Sequence, residues 1–164
     1  MTMKYSMLMG SLLLATQTIA ADITTMVYST DNNKTALGTV VFSDTPYGLL
    51  IKPNLNGLPV GAHGFHLHQT ANCSDAGMAA GGHYDPKHTN SHQGPYGEGH
   101  LGDLPVLFSL DGTANTPLLA PRLKTSDLKD LALMIHQGGD NYSDTPPLGG
   151  GGARIGCGLL NNQQ

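Results

Sequence analysis

No cluster of basic residues occurs in this chain: 8 Lys and Arg are scattered against 12 Asp and Glu, a net charge of −4. A mildly acidic chain without a basic stripe excludes nucleic acid and anionic membrane as partners. Hydrophobic runs long enough to cross a bilayer are missing as well. The candidate nearest to one lies in the first 20 residues, where Lys4 precedes the apolar stretch Met7–Ala15 and Thr18-Ile19-Ala20 offers small residues before Ala21. It is too short for a span and reads as a secretory signal peptide over 1–20, leaving 21–164 as one domain with no membrane contact after cleavage. Cleavage removes one lysine and no acid, so 7 basic residues then face 12 acidic ones, a net −5. Cysteine occurs only as Cys73 and Cys157. In an exported chain, two cysteines predict one disulfide, here closing a loop that spans most of the domain.

Helical periodicity is also scarce. Short period-two runs separated by Gly, Pro, Asn and Asp fill the chain instead. They predict eight strands, over 23–30, 37–43, 48–52, 61–69, 104–110, 115–123, 131–137 and 153–160. Pro53 should stop the third, and Pro117 and Pro121 mark the sixth as an edge. Ser126 is positioned to cap one short turn through Lys129. Two long loops, 70–99 and 138–152, interrupt the pattern, and loops of such length inside a compact domain are usually functional. The expected fold is an all-β, eight-stranded Greek-key β-sandwich or flattened barrel carrying two long functional loops.

What the chain does have is histidine. His66, His68, His83, His92 and His100 fall with Asp103 in one Gly-rich stretch, and His136 ends an apolar run. His66 and His68 are two apart on an expected strand, so they share a face. His63 has the opposite parity and reads as a core histidine bonded to backbone. The seven candidate donors exceed one tetrahedral site, yet fill the eight positions of two four-coordinate sites if one imidazole binds a metal through each nitrogen. An all-nitrogen site suits copper, and three His with one Asp suit closed zinc.

The motifs Phe65-His66-Leu67-His68, Gly82-His83-Tyr84-Asp85-Pro86, His92-Gln93-Gly94-Pro95, Gly99-His100-Leu101-Gly102-Asp103, His136-Gln137-Gly138-Gly139-Asp140 and Gly152-Ala153-Arg154-Ile155-Gly156-Cys157-Gly158 resemble those of copper–zinc superoxide dismutase. The secreted bacterial, periplasmic branch is the nearer likeness. The resemblance runs in order through the whole mature chain, and this family is itself an example of the sandwich architecture. It implies a Cu(2+)/Cu(+) site held by His66, His68, His83 and His136, and a Zn(2+) site held by His83, His92, His100 and Asp103, with His83 as the bridge. It further implies that Asp140 hydrogen-bonds a histidine of each site, that Arg154 attracts the substrate, superoxide anion, and that Arg154 and His83 are the catalytic residues. The expected reaction disproportionates superoxide to dioxygen and hydrogen peroxide in the periplasm. Both monomer and homodimer fit the sequence.

Two features depart from the family pattern. His88 is an additional histidine, read as exposed, and the 138–152 loop contains no Lys or Arg. Steering of superoxide would therefore fall to Lys52, Lys87 or residues elsewhere that the sequence does not place. Two other functions compete. A non-catalytic copper or zinc carrier would need neither Arg154 nor Asp140. A zinc hydrolase would need an open coordination position and usually a carboxylate base, whereas Glu98 is the only glutamate and has no motif around it.

Overall fold

The computed structural model describes residues 21–161, so the signal peptide expected over 1–20 lies outside the described residues. Ten strand segments are present among them: β1 (Ile23–Ser29), β2 (Ala36–Thr45), β3 (Gly48–Asn56), β4 (Gly61–His63), β5 (Phe65–His68), β6 (Leu107–Ser109), β7 (Thr113–Ala114), β8 (Leu118–Ala120), β9 (Leu131–His136) and β10 (Arg154–Leu160). An antiparallel sheet runs in the order β5-β9-β10-β1-β2-β3-β7, with β8 also on β3, and β4 pairs with β6 separately. The sheet curls into a flattened barrel around Val40, Phe42, Ile51, Phe65, Leu67 and Leu133.

The ten segments are the eight expected strands, one of them divided, and one short segment that was not expected. The expected 61–69 strand breaks at Gly64. Its first part, β4, pairs with β6, and its second, β5, pairs with β9. Gly64 makes the switch by donating to the Gly138 carbonyl (2.7 Å) and accepting from the His136 N–H (2.8 Å). The expected 115–123 strand contracts to β8, and β7 is an additional two-residue segment just before it; the two pair with different stretches of β3. Pro117 and Pro121 flank β8, consistent with its edge position. Pro53 does not stop β3. It pairs with Val40 and lies between the stretches of β3 that β7 and β8 cover, where an outward N–H would have no strand to meet. The 104–110 strand contracts to β6. The short turn is a 3₁₀ turn over Thr125–Asp127. Its anchor is Thr125, not Ser126: the Asp44 carboxylate accepts from its N–H (2.7 Å) and hydroxyl (2.8 Å).

Phe65 and Leu67 point into the core, so the pleat sends His66 and His68 to the opposite side, where both are also fully buried. The chain from 82 to 103 returns across this face, through bridges between His68 and His83 and between His66 and Asp103. Gly102 permits that approach, because a Cβ there would lie 2.4 Å from the Leu67 carbonyl oxygen. Cys73 and Cys157 form the disulfide, with Cα atoms 5.9 Å apart and a sequence separation of 84. It ties the first long loop to β10. Replacing Cys73 with serine should remove about 4 kcal/mol on the chain-entropy model and expose 70–99 to protease under conditions the parent survives. An unchanged digestion pattern would show that the loop is ordered without the disulfide.

Candidate metal centre

Four buried histidines converge from β5, the start of the returning segment and the end of β9. His66, His68, His83 and His136 each place one ring nitrogen within 4.8 Å of the others. The remaining nitrogen of three rings is engaged. His66 Nε2 donates to Asp140 Oδ2 (2.6 Å), His68 Nδ1 to the Gly81 carbonyl (2.9 Å) and His136 Nδ1 to the Gly152 carbonyl (3.1 Å). A carboxylate or carbonyl oxygen can only accept, so each of these bonds fixes the ring's proton. The opposite nitrogen of each ring must then carry a lone pair. Those three atoms, His66 Nδ1, His68 Nε2 and His136 Nε2, are buried without a hydrogen-bond partner. Burial, the largest influence, lowers the pKa of His66 to about 3, of His68 to about 2 and of His136 to about 4. The rings are therefore neutral, the form that binds a metal.

The second group is built around one oxygen. Asp103 Oδ1 lies 2.9 Å from His83 Nδ1, 3.0 Å from His92 Nδ1 and 3.3 Å from His100 Nδ1. His83 is shared by both groups. Burial alone would lower the His92 pKa, but Asp103 and Asp140 on its two nitrogens outweigh burial and push it up to about 9. Burial likewise opposes the charge on Asp103 and Asp140, yet their histidine partners hold both carboxyls well below the usual range. Asp140 spans the two groups: Oδ2 accepts from His66, and Oδ1 accepts from His92 Nε2 (2.8 Å) and from the Tyr142 N–H (2.8 Å). Its position with His66 and His92 is thus explained by hydrogen bonds.

Residues 36–160 match the family model of copper/zinc superoxide dismutase. The chain belongs to this family. A Cu-Zn superoxide dismutase of Legionella pneumophila is 58% identical over 154 residues, covering 93% of this chain and 95% of that relative. The Cu/Zn superoxide dismutase structure from Brucella abortus superposes with a TM-score of 0.81 at 45% identity, covering 86% of this chain and all of that one. The solution structure of the monomeric enzyme from Salmonella enterica gives a TM-score of 0.73 at 49% identity, covering 85% and 99%. The cofactors of the family, copper and zinc, fit these two donor sets: unpaired imidazole nitrogens alone in one, imidazoles around a carboxylate in the other.

All seven donors singled out in the sequence meet in the fold, and Asp140 joins them. Arg154, on β10, pairs in register with His136. Its Nη1 donates to the Gly77 carbonyl (2.6 Å) and its Nη2 to the Gly81 carbonyl (2.7 Å), the same carbonyl that orients His68. The disulfide loop therefore holds both the arginine and a histidine. His63 is buried with Nδ1 on the His136 carbonyl (2.7 Å) and Nε2 on the Pro59 carbonyl (2.8 Å), as expected of a core histidine. His88 is exposed, at a positive φ of 52°, and belongs to neither group. Lys52 faces Asp22 at 3.6 Å. No motif or spacing marks Asp144, whose carboxylate accepts from the His92 N–H (3.0 and 3.1 Å) and the Ser91 hydroxyl (3.2 Å). Nor does any mark Arg122, whose guanidinium donates to the His100 carbonyl (2.6 Å). Both contacts cross long sequence separations. No helix among the described residues is long and apolar enough to cross a membrane.

Proposed function

We propose that this superoxide dismutase holds copper at His66, His68, His83 and His136 and zinc at His83, His92, His100 and Asp103, with His83 shared. The observation that supports this most is the set of three buried, unpartnered nitrogens whose tautomers are fixed from behind. The reaction converts two superoxide anions and two protons into dioxygen and hydrogen peroxide. Copper supplies the one-electron couple and zinc a fixed positive charge. The protein's own part is to orient the rings, attract the anion and deliver protons. Asp140, Gly81 and Gly152 keep the ring protons away from the copper side. The His83 nitrogen remote from Asp103 is the atom able to carry a proton toward forming peroxide. A non-catalytic carrier accounts for neither the paired carbonyl contacts that aim Arg154 nor the Asp140 link. Metal analysis with a superoxide-decay assay tests the reading: one copper and one zinc per chain with rapid decay are expected, and metal-loaded protein without dismutation would overturn it.

Arg154 contributes by charge. Two of its donors are spent on carbonyls, which leaves the guanidinium held but still charged. A unit charge about 6 Å from an anion, at an effective dielectric near 20, is worth about 3 kcal/mol before screening. Partial exposure reduces this, so Arg154→Ala should slow turnover about tenfold with both metals retained. Arg154→Lys keeps the charge but not the planar fork that meets the two carbonyls, and should retain much of the rate. Equal losses in the two variants would assign Arg154 a structural, bidentate role instead.

We also propose that residues 1–20 are removed on export and that the enzyme, 21–164, works in the periplasm. Lys4, the apolar run and the small residues before Ala21 support cleavage there, and the Cys73–Cys157 disulfide suits an oxidising compartment. Mass determination of protein from a periplasmic fraction checks both points: a chain starting at Met1 and confined to the cytoplasm would contradict them.

A further inference from the structure

Arg122 lies outside both donor groups, on the connection from β8 to β9. Its Nε donates to the Pro95 carbonyl (3.0 Å), Nη1 to Gly99 (3.1 Å), and Nη2 to Gly94 (3.2 Å) and His100 (2.6 Å). All four carbonyls belong to the turn between His92 and Asp103, and all four residues are buried. That turn lies outside every strand ladder, so its buried carbonyls need partners from elsewhere. A planar guanidinium, with five donors in a fixed fork, can serve all four at once, whereas an ammonium has only three donors. The base of this clamp is rigid. Leu123 sits in the core, and Thr125 is bound to Asp44 of β2.

We infer that Arg122 is a positioning residue for the zinc group, acting through the His100 backbone to set the His100 imidazole against Asp103. The inference rests on the zinc-ligand reading above. The other histidines of the group are held by side chains: His92 by Asp140 on its ring and Asp144 on its N–H, and His83 by its bond to Asp103. Among the described residues, the His100 ring has no hydrogen-bond partner beyond its 3.3 Å approach to Asp103. Its place therefore depends on where the backbone is held, and Arg122 holds it at the His100 carbonyl itself.

The test compares metal-loaded parent with Arg122→Gln, Arg122→Lys and, as a control, His100→Ala. Zinc release to a chromophoric chelator is followed, and the visible spectrum is taken with cobalt in place of zinc at full occupancy. Arg122→Gln should release zinc about 10–100-fold faster, the usual effect of removing a group that orients a ligand, and should alter the cobalt bands while copper content stays parental. Arg122→Lys, reaching one or two of the four carbonyls, should fall between, and it carries the same test if the glutamine variant does not fold. Parental release and cobalt spectra in the Arg122 variants, beside fast release in His100→Ala, would overturn the inference and leave the ligand reading standing. Parental release in His100→Ala would instead overturn the ligand reading.

Discussion

Replacing His83 with alanine is expected to leave copper bound at three imidazoles yet abolish magnetic coupling between that copper and a cobalt ion substituted for zinc. His83 is the residue that both donor groups share. Its ring lies 4.1 Å from that of His66 and 4.9 Å from that of His68 on one side, and 5.3 Å from those of His92 and His100 on the other, between centroids. The lone pairs of His66 Nδ1, His68 Nε2 and His136 Nε2 are fixed by partners that do not involve His83, so copper affinity should survive in part. Loss of a positioned proton donor costs about 10²–10⁴-fold in rate, and dismutation should fall by at least the lower figure. The decisive measurement is the magnetic susceptibility or electron paramagnetic resonance of the parent with cobalt and oxidised copper at full occupancy. Uncoupled ions in the parent would mean that His83 does not bridge.

With both metals removed, the protein should lose stability steeply in mild acid, by up to about 4 kcal/mol per pH unit between about pH 6 and 4. The sign follows from the buried rings. His66, His68 and His136 have folded pKa values lowered to about 3, 2 and 4, whereas in the unfolded chain each returns to about 6.5. In this window the unfolded chain binds about three protons that the folded one does not. The stability is fully present above the unfolded value and is lost as pH falls toward the folded values. His92, raised to about 9, acts in the opposite sense. Its contribution is present below 6.5 and is lost as pH rises through 9, so the metal-free protein should be most stable near neutrality. Bound metal keeps the rings deprotonated and opposes this acid effect, so the loaded protein should release zinc before it unfolds. Urea midpoints of both forms at several pH values between 7.5 and 4.5 test the account, and a metal-free midpoint that does not move would refute it.

Much of the site was legible in the sequence because its signals are local or can be counted. Histidines two apart on a strand share a face, seven donors exceed one site, and two cysteines behind a signal-like leader predict one disulfide. The strand pattern was legible for the same reason, since β9 and β10 are apolar runs between turn residues. Where the chain changes sheets was less visible. Gly64 divides one expected strand because its backbone meets Gly138 and His136, which no local pattern records. Pro53 continues β3 only because neither β7 nor β8 covers it.

The sequence by itself determined which residue types are available to hold copper and zinc, how many there are, and that a β scaffold carries them. Tertiary structure alone decided which nitrogen of each ring faces inward, because that depends on Asp140, Gly81 and Gly152, 74, 13 and 16 residues away from the rings they orient. It also decided that Asp144, Arg122 and the carbonyls of Gly77 and Gly81 serve the site. A hydrogen bond forms between atoms brought close in space, and contacts spanning 13 to 77 residues leave no periodicity or spacing to be read along the chain.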